Sequence, residues 1–193
     1  MVGHLAVSHG HSPFASIPVR PFCPKPLMAS YPHVTKPTSS FEGGKEKYSI
    51  GILIPKDDEE TINSIRACEE AAIQDGVTSK FGGKMPNKNT IKYALKDGDE
   101  KEDPVYHGHY YINATSQNAP EVVGSDLQPL PEGVEVIGGD FVRVSINFVP
   151  YNVGGNKGVS AYLGNVQLVK KGTPLGGKRP ASADFEPVSD EFI

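Results

Sequence analysis

The chain has 193 residues, a length that suits one domain with tails, and 37% of them are hydrophobic. Two cysteines without a framework spacing, and no long apolar run, argue against a disulfide-stapled secreted protein and a transmembrane protein. The net charge is −4, but residues 180–193 carry four acids and no Lys or Arg, so the rest of the chain is balanced. Because phosphate affinity depends on local clusters of Lys and Arg, this charge neither supports nor excludes a nucleic-acid partner.

The first predicted elements are a weak strand and a strong one. Residues 1–29 are predicted to form a proline-rich N-terminal extension. A strand is expected within residues 15–31, where four prolines would confine it to a sheet edge, since proline cannot donate a ladder hydrogen bond. Residues 47–55, KYSIGILIP, alternate between apolar side chains and Lys47, Ser49 and Gly51, which predicts a strand with one buried face.

Residues 56–76 predict a helix. Asp57 or Asp58 can cap its start, acids fill its first turn, and Gly76 is expected to end it. An apolar stripe at helical spacing predicts the buried face: Ile62, Ile65, Cys68, Ala72 and Ile73.

A polar stretch from residue 78 to residue 103 is predicted to be loop. Its first part interleaves basic and aromatic residues, among them Lys88, Lys92 and Tyr93. Its last part, DGDEKED, superficially resembles a calcium loop but lacks the ligand register and flanking helices of that site. We therefore expect no metal site here.

The second half of the chain predicts mainly strands. HYYINAT at residues 109–115 alternates, with Tyr111 on the face opposite Ile112. Residues 140–149 and 159–163 also alternate and are joined by the glycine-rich turn YNVGGNKG, as in a long β-hairpin. Short strands are expected at 134–137 and 166–171. Together these elements predict a mainly β fold, an OB-fold-like five-stranded barrel with one inserted α-helix and long loops, over residues 30–179.

The solvent face of the predicted sheet carries aromatic and basic side chains but no common catalytic motif, so we predict a non-enzymatic protein without cofactor or metal. Single-stranded nucleic acid is bound by aromatic rings that stack on bases and by cations that contact phosphates. Rings and cations on exposed strand faces therefore give the candidate DNA-binding residues: Lys47, Tyr111, Phe141, Arg143, Tyr151, Lys157, Tyr162, Lys170 and Lys171.

Several motifs in the same order resemble a family of tailed-phage single-stranded DNA-binding proteins, first catalogued as a domain of unknown function. They are KYSIGILIPK, ALKDGDE, HYYINATS and SINFVPYNVGGNKGVSAYLGNVQLVKKGTPLGG, and the resemblance covers about residues 30–185. It implies an OB-fold that coats single-stranded DNA during phage replication or recombination, in the cytoplasm of the host cell. A homo-oligomer is compatible with it. The alternative from another class is a structural or assembly β-protein of a virion that does not bind DNA.

The C-terminal residues 180–193 are predicted to form an acidic flexible tail. It ends in Asp190, Glu191, Phe192 and Ile193 and is similar to the tails of bacterial single-stranded DNA-binding proteins. Such a tail would recruit replication or recombination proteins and would compete with DNA for basic groups.

Overall fold

The computed structural model describes residues 25–39 and 42–176. These residues form seven strands, one α-helix and two short 3₁₀ turns. The elements, in chain order, are β1 (Leu27–Thr38), β2 (Lys47–Pro55), α1 (Glu59–Ser79), β3 (Lys96–Asp97), 3₁₀ turns at Gly98–Glu100 and Pro104–Tyr106, β4 (His109–Ser116), β5 (Val122–Val123), β6 (Phe141–Val153) and β7 (Asn156–Lys170).

Five of the strands close into a ring in the order β1–β2–β4–β7–β6–β1. All contacts around the ring are antiparallel except β4 with β7, which is parallel and is made only by the registered pairs Ala114 with Ala161 and Thr115 with Tyr162. The short strands β3 and β5 extend the ring beside β4 and β7. The prediction of a mainly β, five-stranded, OB-fold-like barrel with an inserted helix is confirmed.

The inside of the ring is filled by β-branched and leucine side chains from alternate positions of every strand. Ile50, Ile52 and Ile54 of β2 point inward, as their alternation predicts, and Val142 and Val166 meet them from β6 and β7. Residues of this kind have the shape that suits a pleated, packed surface. The opposite faces of the same strands form the outer surface of the ring.

The first strand differs from its prediction. It begins at Leu27 and runs to Thr38, so it overlaps the expected 15–31 interval only at its end, and residues 1–24 lie outside the described ranges. It is also not a simple edge strand, because it pairs with β2 along its length and with β6 at Leu27 and Met28. The predicted boundary at residue 30 thus falls inside β1.

Helix α1 is capped as expected, but it ends later than predicted and buries a different face. The Asp58 carboxylate accepts hydrogen bonds from the backbone N–H and the hydroxyl of Thr61, which satisfies the helix start. Gly76 lies within the helix, where a side chain would strike the Phe81 ring and Pro150, so its lack of a Cβ serves close packing. Cys68, predicted to be buried, is exposed, and Glu69 takes its place on the buried face.

One other local prediction was wrong, and two short strands were missed. Residues 134–137 form no strand, although Val136 is buried. The two-residue strands β3 and β5 were not predicted, because they have no periodicity of their own and exist only through their pairing with β4 and β7.

The start of β6 is fixed to the end of β7 by Asp140, which is fully buried. Its carboxylate accepts hydrogen bonds from the Ile137 N–H at 2.9 Å and the Gly172 N–H at 3.0 Å, and it pairs with the Lys171 ammonium at 2.8 Å. Burial alone would raise the pKa of Asp140, but these donors outweigh it and hold the pKa below its ordinary value. We call these residues, 137–140 with 171–172, the Asp140 corner.

Candidate nucleic-acid interface

An open groove of about 930 Å³ lies on the outer face of the ring, where β4 meets β7. Its floor is made of small polar side chains, Asn113 and Thr115 from β4 and Ser160 from β7. These residues point outward because their neighbours, Ala114 and Ala161, point into the core. The floor is therefore polar and made of small side chains, and the larger side chains that line the groove come from its wall and margins.

One wall of the groove is the segment 89–97, which connects α1 to β4. It is tied to β7 by the backbone of Lys92, whose N–H donates to Lys157 O at 3.0 Å and whose carbonyl accepts from the Val159 N–H at 2.8 Å. Its other end is tied to β4, since Lys96 and Asp97 pair there as β3. The wall is thus fixed at both ends by the two strands that form the floor.

The middle of the wall is held by Glu69 of α1. One carboxylate oxygen, Oε1, accepts hydrogen bonds from the backbone N–H groups of Ala94 at 2.6 Å and Leu95 at 2.9 Å. Glu69 is buried, and burial raises its pKa even though these two hydrogen bonds act in the opposite direction. The helix therefore determines where the wall stands above the sheet.

Aromatic side chains line and flank the groove. Tyr151 lies across from Gly158 in the hairpin register, and a Cβ on Gly158 would be 2.6 Å from the Tyr151 hydroxyl and 2.5 Å from Lys92 O. The glycine thus lets the ring and the wall approach β7 closely. Tyr93 lines the wall and donates its hydroxyl hydrogen to Glu70 at 3.2 Å.

Tyr162 is the exposed ring beside the floor. It is registered with Thr115 of β4 and with Asn147 of β6, so its side chain stands on the same outer face. The residue is 53% exposed, which leaves ring surface open to a flat partner. Tyr151 and Tyr162 are the two predicted stacking rings that the fold brings to the groove.

Two lysines of the wall, Lys92 and Lys96, line the groove and have no ion-pair partner among residues 25–39 and 42–176. The nearby acids are partly neutralised. Lys56 pairs with Asp97 and with Asp99, each at 2.6 Å, and both carboxyl pKa values are lowered, first of all by these contacts. The acidic run that superficially resembles a calcium loop therefore holds a lysine instead.

Tyr111 is on the predicted outer face of β4 but is not exposed. Its relative exposure is 7%, because the chain of residues 98–108 folds over it and places the Tyr106 ring edge-on at 5.0 Å. The Lys101 ammonium lies 4.7 Å from the Tyr111 ring centre and closes the site further. The expectation that this ring is open to solvent was wrong.

The remaining predicted residues lie away from the groove. Phe141 is half-buried at the closure of the ring, paired with Met28 on one side and with Lys170 on the other. Arg143 is exposed and registered with Gln167. Alternation along a strand tells the inner face from the outer face, but the outer face of a closed barrel points in every direction around its axis. The sequence therefore could not show that Phe141 and Arg143 lie on a different side of the barrel from Tyr162.

Two predicted lysines on strands also point elsewhere. Lys157 faces the end of α1, with its ammonium 5.7 Å from the Phe81 ring centre, so it lies on the side of the hairpin opposite Tyr151. Lys47 is exposed at the start of β2, opposite Thr38.

Lys171 was predicted as a phosphate contact, but its ammonium already binds the buried Asp140 and the carbonyl of Glu135, at 2.8 and 2.9 Å. Because its charge is already paired with a buried carboxylate, this ammonium would attract a phosphate less strongly. The sequence does not reveal this pairing, since the two residues are far apart along the chain.

The groove residues that strand periodicity could not identify are Lys92, Tyr93 and Lys96. Lys92 and Tyr93 belong to the basic and aromatic interleaving noted for this polar stretch, whereas Lys96 has no such signal in the sequence. The predicted tail residues Asp190, Glu191, Phe192 and Ile193 lie outside the described residues. Within the described ranges, no helix combines the length and apolar character that a membrane span requires.

The chain is similar to known phage proteins. Residues 25–193 match the family described as the ssDNA-binding protein of Enterobacter phage Enc34. The chain is also 31% identical over 166 residues to protein p50 of Acyrthosiphon pisum secondary endosymbiont phage 1, a match that covers 82% of this chain and 88% of that protein.

Solved structures share the fold. The single-stranded DNA-binding protein from bacteriophage Enc34 in complex with ssDNA matches with a TM-score of 0.66 at 28% identity, over 79% of this chain and 87% of that one. The same phage protein in another structure gives a TM-score of 0.63 at 27% identity, over 83% and 86% of the two chains. The T7 protein gp2.5, a single-stranded DNA binding protein, matches with a TM-score of 0.55 at 21% identity, over 83% and 92%, which is evidence for the fold alone.

Proposed function

The chain belongs to the phage single-stranded DNA-binding family of Enc34, a family with a non-enzymatic function, and from this premise we propose that it binds single-stranded DNA in the groove between β4 and β7. The observation that carries the proposal is the composition of that groove. It combines a floor of small polar side chains, the rings of Tyr151 and Tyr162 at its margins, and the lysines of its wall.

The physical basis is stacking together with charge. A base that stacks on an exposed aromatic ring gains about 1–3 kcal/mol, and because every base has a π-face the gain depends little on sequence. Lys92 and Lys96 supply phosphate contacts whose strength falls with salt. Small floor residues leave room for the sugar and base edges, so the predicted mode of binding is sequence-tolerant.

The proposed biological role is in phage DNA replication or recombination. Sequence-tolerant coating of single strands fits phage DNA replication or recombination in the cytoplasm of the host. The acidic residues 184–193 would compete with DNA for the lysines and offer Phe192 and Ile193 to a replication or recombination partner. Deleting residues 184–193 is therefore expected to tighten DNA binding at low salt, and weaker binding would contradict the competition.

Titration of labelled oligo-dT at two salt concentrations tests the central proposal. The full chain should bind at low salt and bind more weakly at high salt. Tyr162→Ala should weaken binding about 5- to 150-fold, the loss of one stack, whereas Tyr162→Phe, which keeps the ring, should not.

The control for folding is the melting temperature of each variant, which should stay close to that of the parent chain because Tyr162 is exposed. Absence of oligo-dT binding at low salt would sink the proposal. Stable higher assemblies that form without DNA would instead favour the structural or assembly protein.

A further inference from the structure

Tyr31 has a backbone conformation that a side chain rarely adopts. Its φ is +42°, in the left-handed region where steric crowding of Cβ disfavours every residue except glycine and, to a lesser degree, asparagine. The side chain is 56% exposed, so the strain is not compensated by burial in the core. Strain that persists at an exposed aromatic residue indicates a role other than stability.

The ring is held in place from outside β1. Its hydroxyl donates to the Asp103 carboxylate at 2.7 Å, which ties Tyr31 to the chain that folds over the outer face. Neighbouring pairs show that the irregularity is local, since Ser30 is registered with Gly51 and His33 with Ser49, while the residues between them are displaced. The displaced segment carries the exposed ring away from the sheet.

The floor of the groove continues toward this ring. Asn113 and Thr115, which line the groove, are registered with Gly51 and Ser49 of β2, and these in turn with Ser30 and His33 of β1. The crossing at Gly51 and Ser30 is buried, since the hydroxyls of Ser30 and Tyr106 share a hydrogen bond at 3.1 Å. The open crossing over β2 therefore leads from Thr115 over the half-buried Ser49 to the exposed His33. Two strand spacings separate β4 from β1, about 10 Å, a distance that a nucleotide or two can bridge.

We propose that Tyr31 is a second base-stacking ring, which receives a nucleotide of the bound strand after it leaves the groove and crosses β2. The inference rests on the proposed function. It extends the interface from the margin at Tyr162 to the opposite side of the outer face. It also explains the strain, because Tyr at this position costs stability and supplies a ring where glycine would supply none.

The test uses Tyr31→Gly, with binding to oligo-dT and the melting temperature both measured on the full chain. Glycine relieves the backbone strain but also removes the hydrogen bond to Asp103, so the melting temperature should stay close to that of the parent chain. The affinity should fall about 5- to 150-fold with the loss of one stack. Tyr31→Phe should keep the affinity, since the ring remains. If Tyr31→Gly lowers the melting temperature, Tyr31→Asn, which also tolerates positive φ, takes its place.

Leu127→Gly is the matched control. Among the described residues, Leu127 is the other non-glycine residue with positive φ, at +64°, and it is 67% exposed. Its replacement should leave DNA affinity unchanged. Unchanged affinity of a folded Tyr31 variant, while the parent chain binds, would overturn this inference and leave the proposed function intact; no binding by the parent chain would overturn both.

Discussion

The Asp140 corner and the β4–β7 groove both present lysine side chains, but these lysines have different surroundings. In the corner, Lys171 faces a fully buried carboxylate that also accepts two backbone hydrogen bonds. In the groove, Lys92 and Lys96 have no ion-pair partner within the described ranges.

The presence of a lysine on a sheet therefore does not identify a binding surface. What matters is whether its charge is already balanced by a buried acid. In the corner, Lys171 stabilises the fold, whereas in the groove Lys92 and Lys96 stay available to a phosphate. Substitutions at the corner, at the groove wall and at the groove lysines test this difference.

The largest effect is expected from Asp140→Ala. The change removes the acceptor of two part-buried N–H groups and leaves the Lys171 ammonium with only the Glu135 carbonyl, and we expect it to lower the free energy of unfolding by about 2–4 kcal/mol. Urea denaturation followed by circular dichroism measures it. A loss below about 0.5 kcal/mol, the range of ordinary surface changes, would contradict the structural role.

The same carboxylate predicts a pH dependence. Because the folded-state pKa of Asp140 lies below its unfolded value, its contribution is complete above about pH 4 and is lost as the pH falls through the folded-state pKa. The parent chain should therefore lose more stability than Asp140→Asn over this acid range.

An intermediate effect is expected from Glu69→Ala, which removes the acceptor of the Ala94 and Leu95 N–H groups from the groove wall. We expect a loss of about 1–3 kcal/mol in the free energy of unfolding, together with faster hydrogen exchange at Ala94 and Leu95. Glu69→Gln keeps an acceptor oxygen and should lose less.

Glu69 also has the opposite pH dependence to Asp140. Its folded-state pKa is raised, so its ionisation makes the fold less stable as the pH rises through the window between its unfolded and folded pKa values. Glu69→Gln should remove this slope. A slope that persists unchanged in the Gln variant would assign it to another group.

The smallest effect is expected from Lys92→Ala combined with Lys96→Ala. Removing two phosphate contacts should weaken oligo-dT binding about tenfold at ~0.1 M salt and reduce the slope of log K against log salt by about 1.4. Lys171→Met is the matched control, and it should lower stability while leaving the slope unchanged. A slope lowered equally by both variants would remove the distinction between corner and groove.

Periodicity was sufficient for the elements that carry the fold. The alternation of Ile50, Ile52 and Ile54 predicted β2 with the correct buried face, and the hairpin of β6 and β7 was predicted from the same rule. The wall of the groove could not be found in this way, since residues 89–97 have no period and are ordered by Glu69 and by two strands distant in sequence.

Exposure was the other property that the sequence left open. Tyr111 and Tyr162 have the same alternation and the same residue type, yet one is covered by Tyr106 and the other is bare. The difference arises from where residues 98–108 fold, which depends on long-range packing. The DNA-contacting roles of the candidate residues stay predictions.

The parallel contact of β4 with β7 affects where the barrel can open locally. This seam consists of two registered pairs, so it is one of the places where the ring can part at the lowest cost. Tyr162 and Thr115 stand on it, one on each strand. A single strand of DNA laid across them would bind the closed ring and not the open one, so it would stabilise the closed ring by an amount that grows with the logarithm of the free DNA concentration.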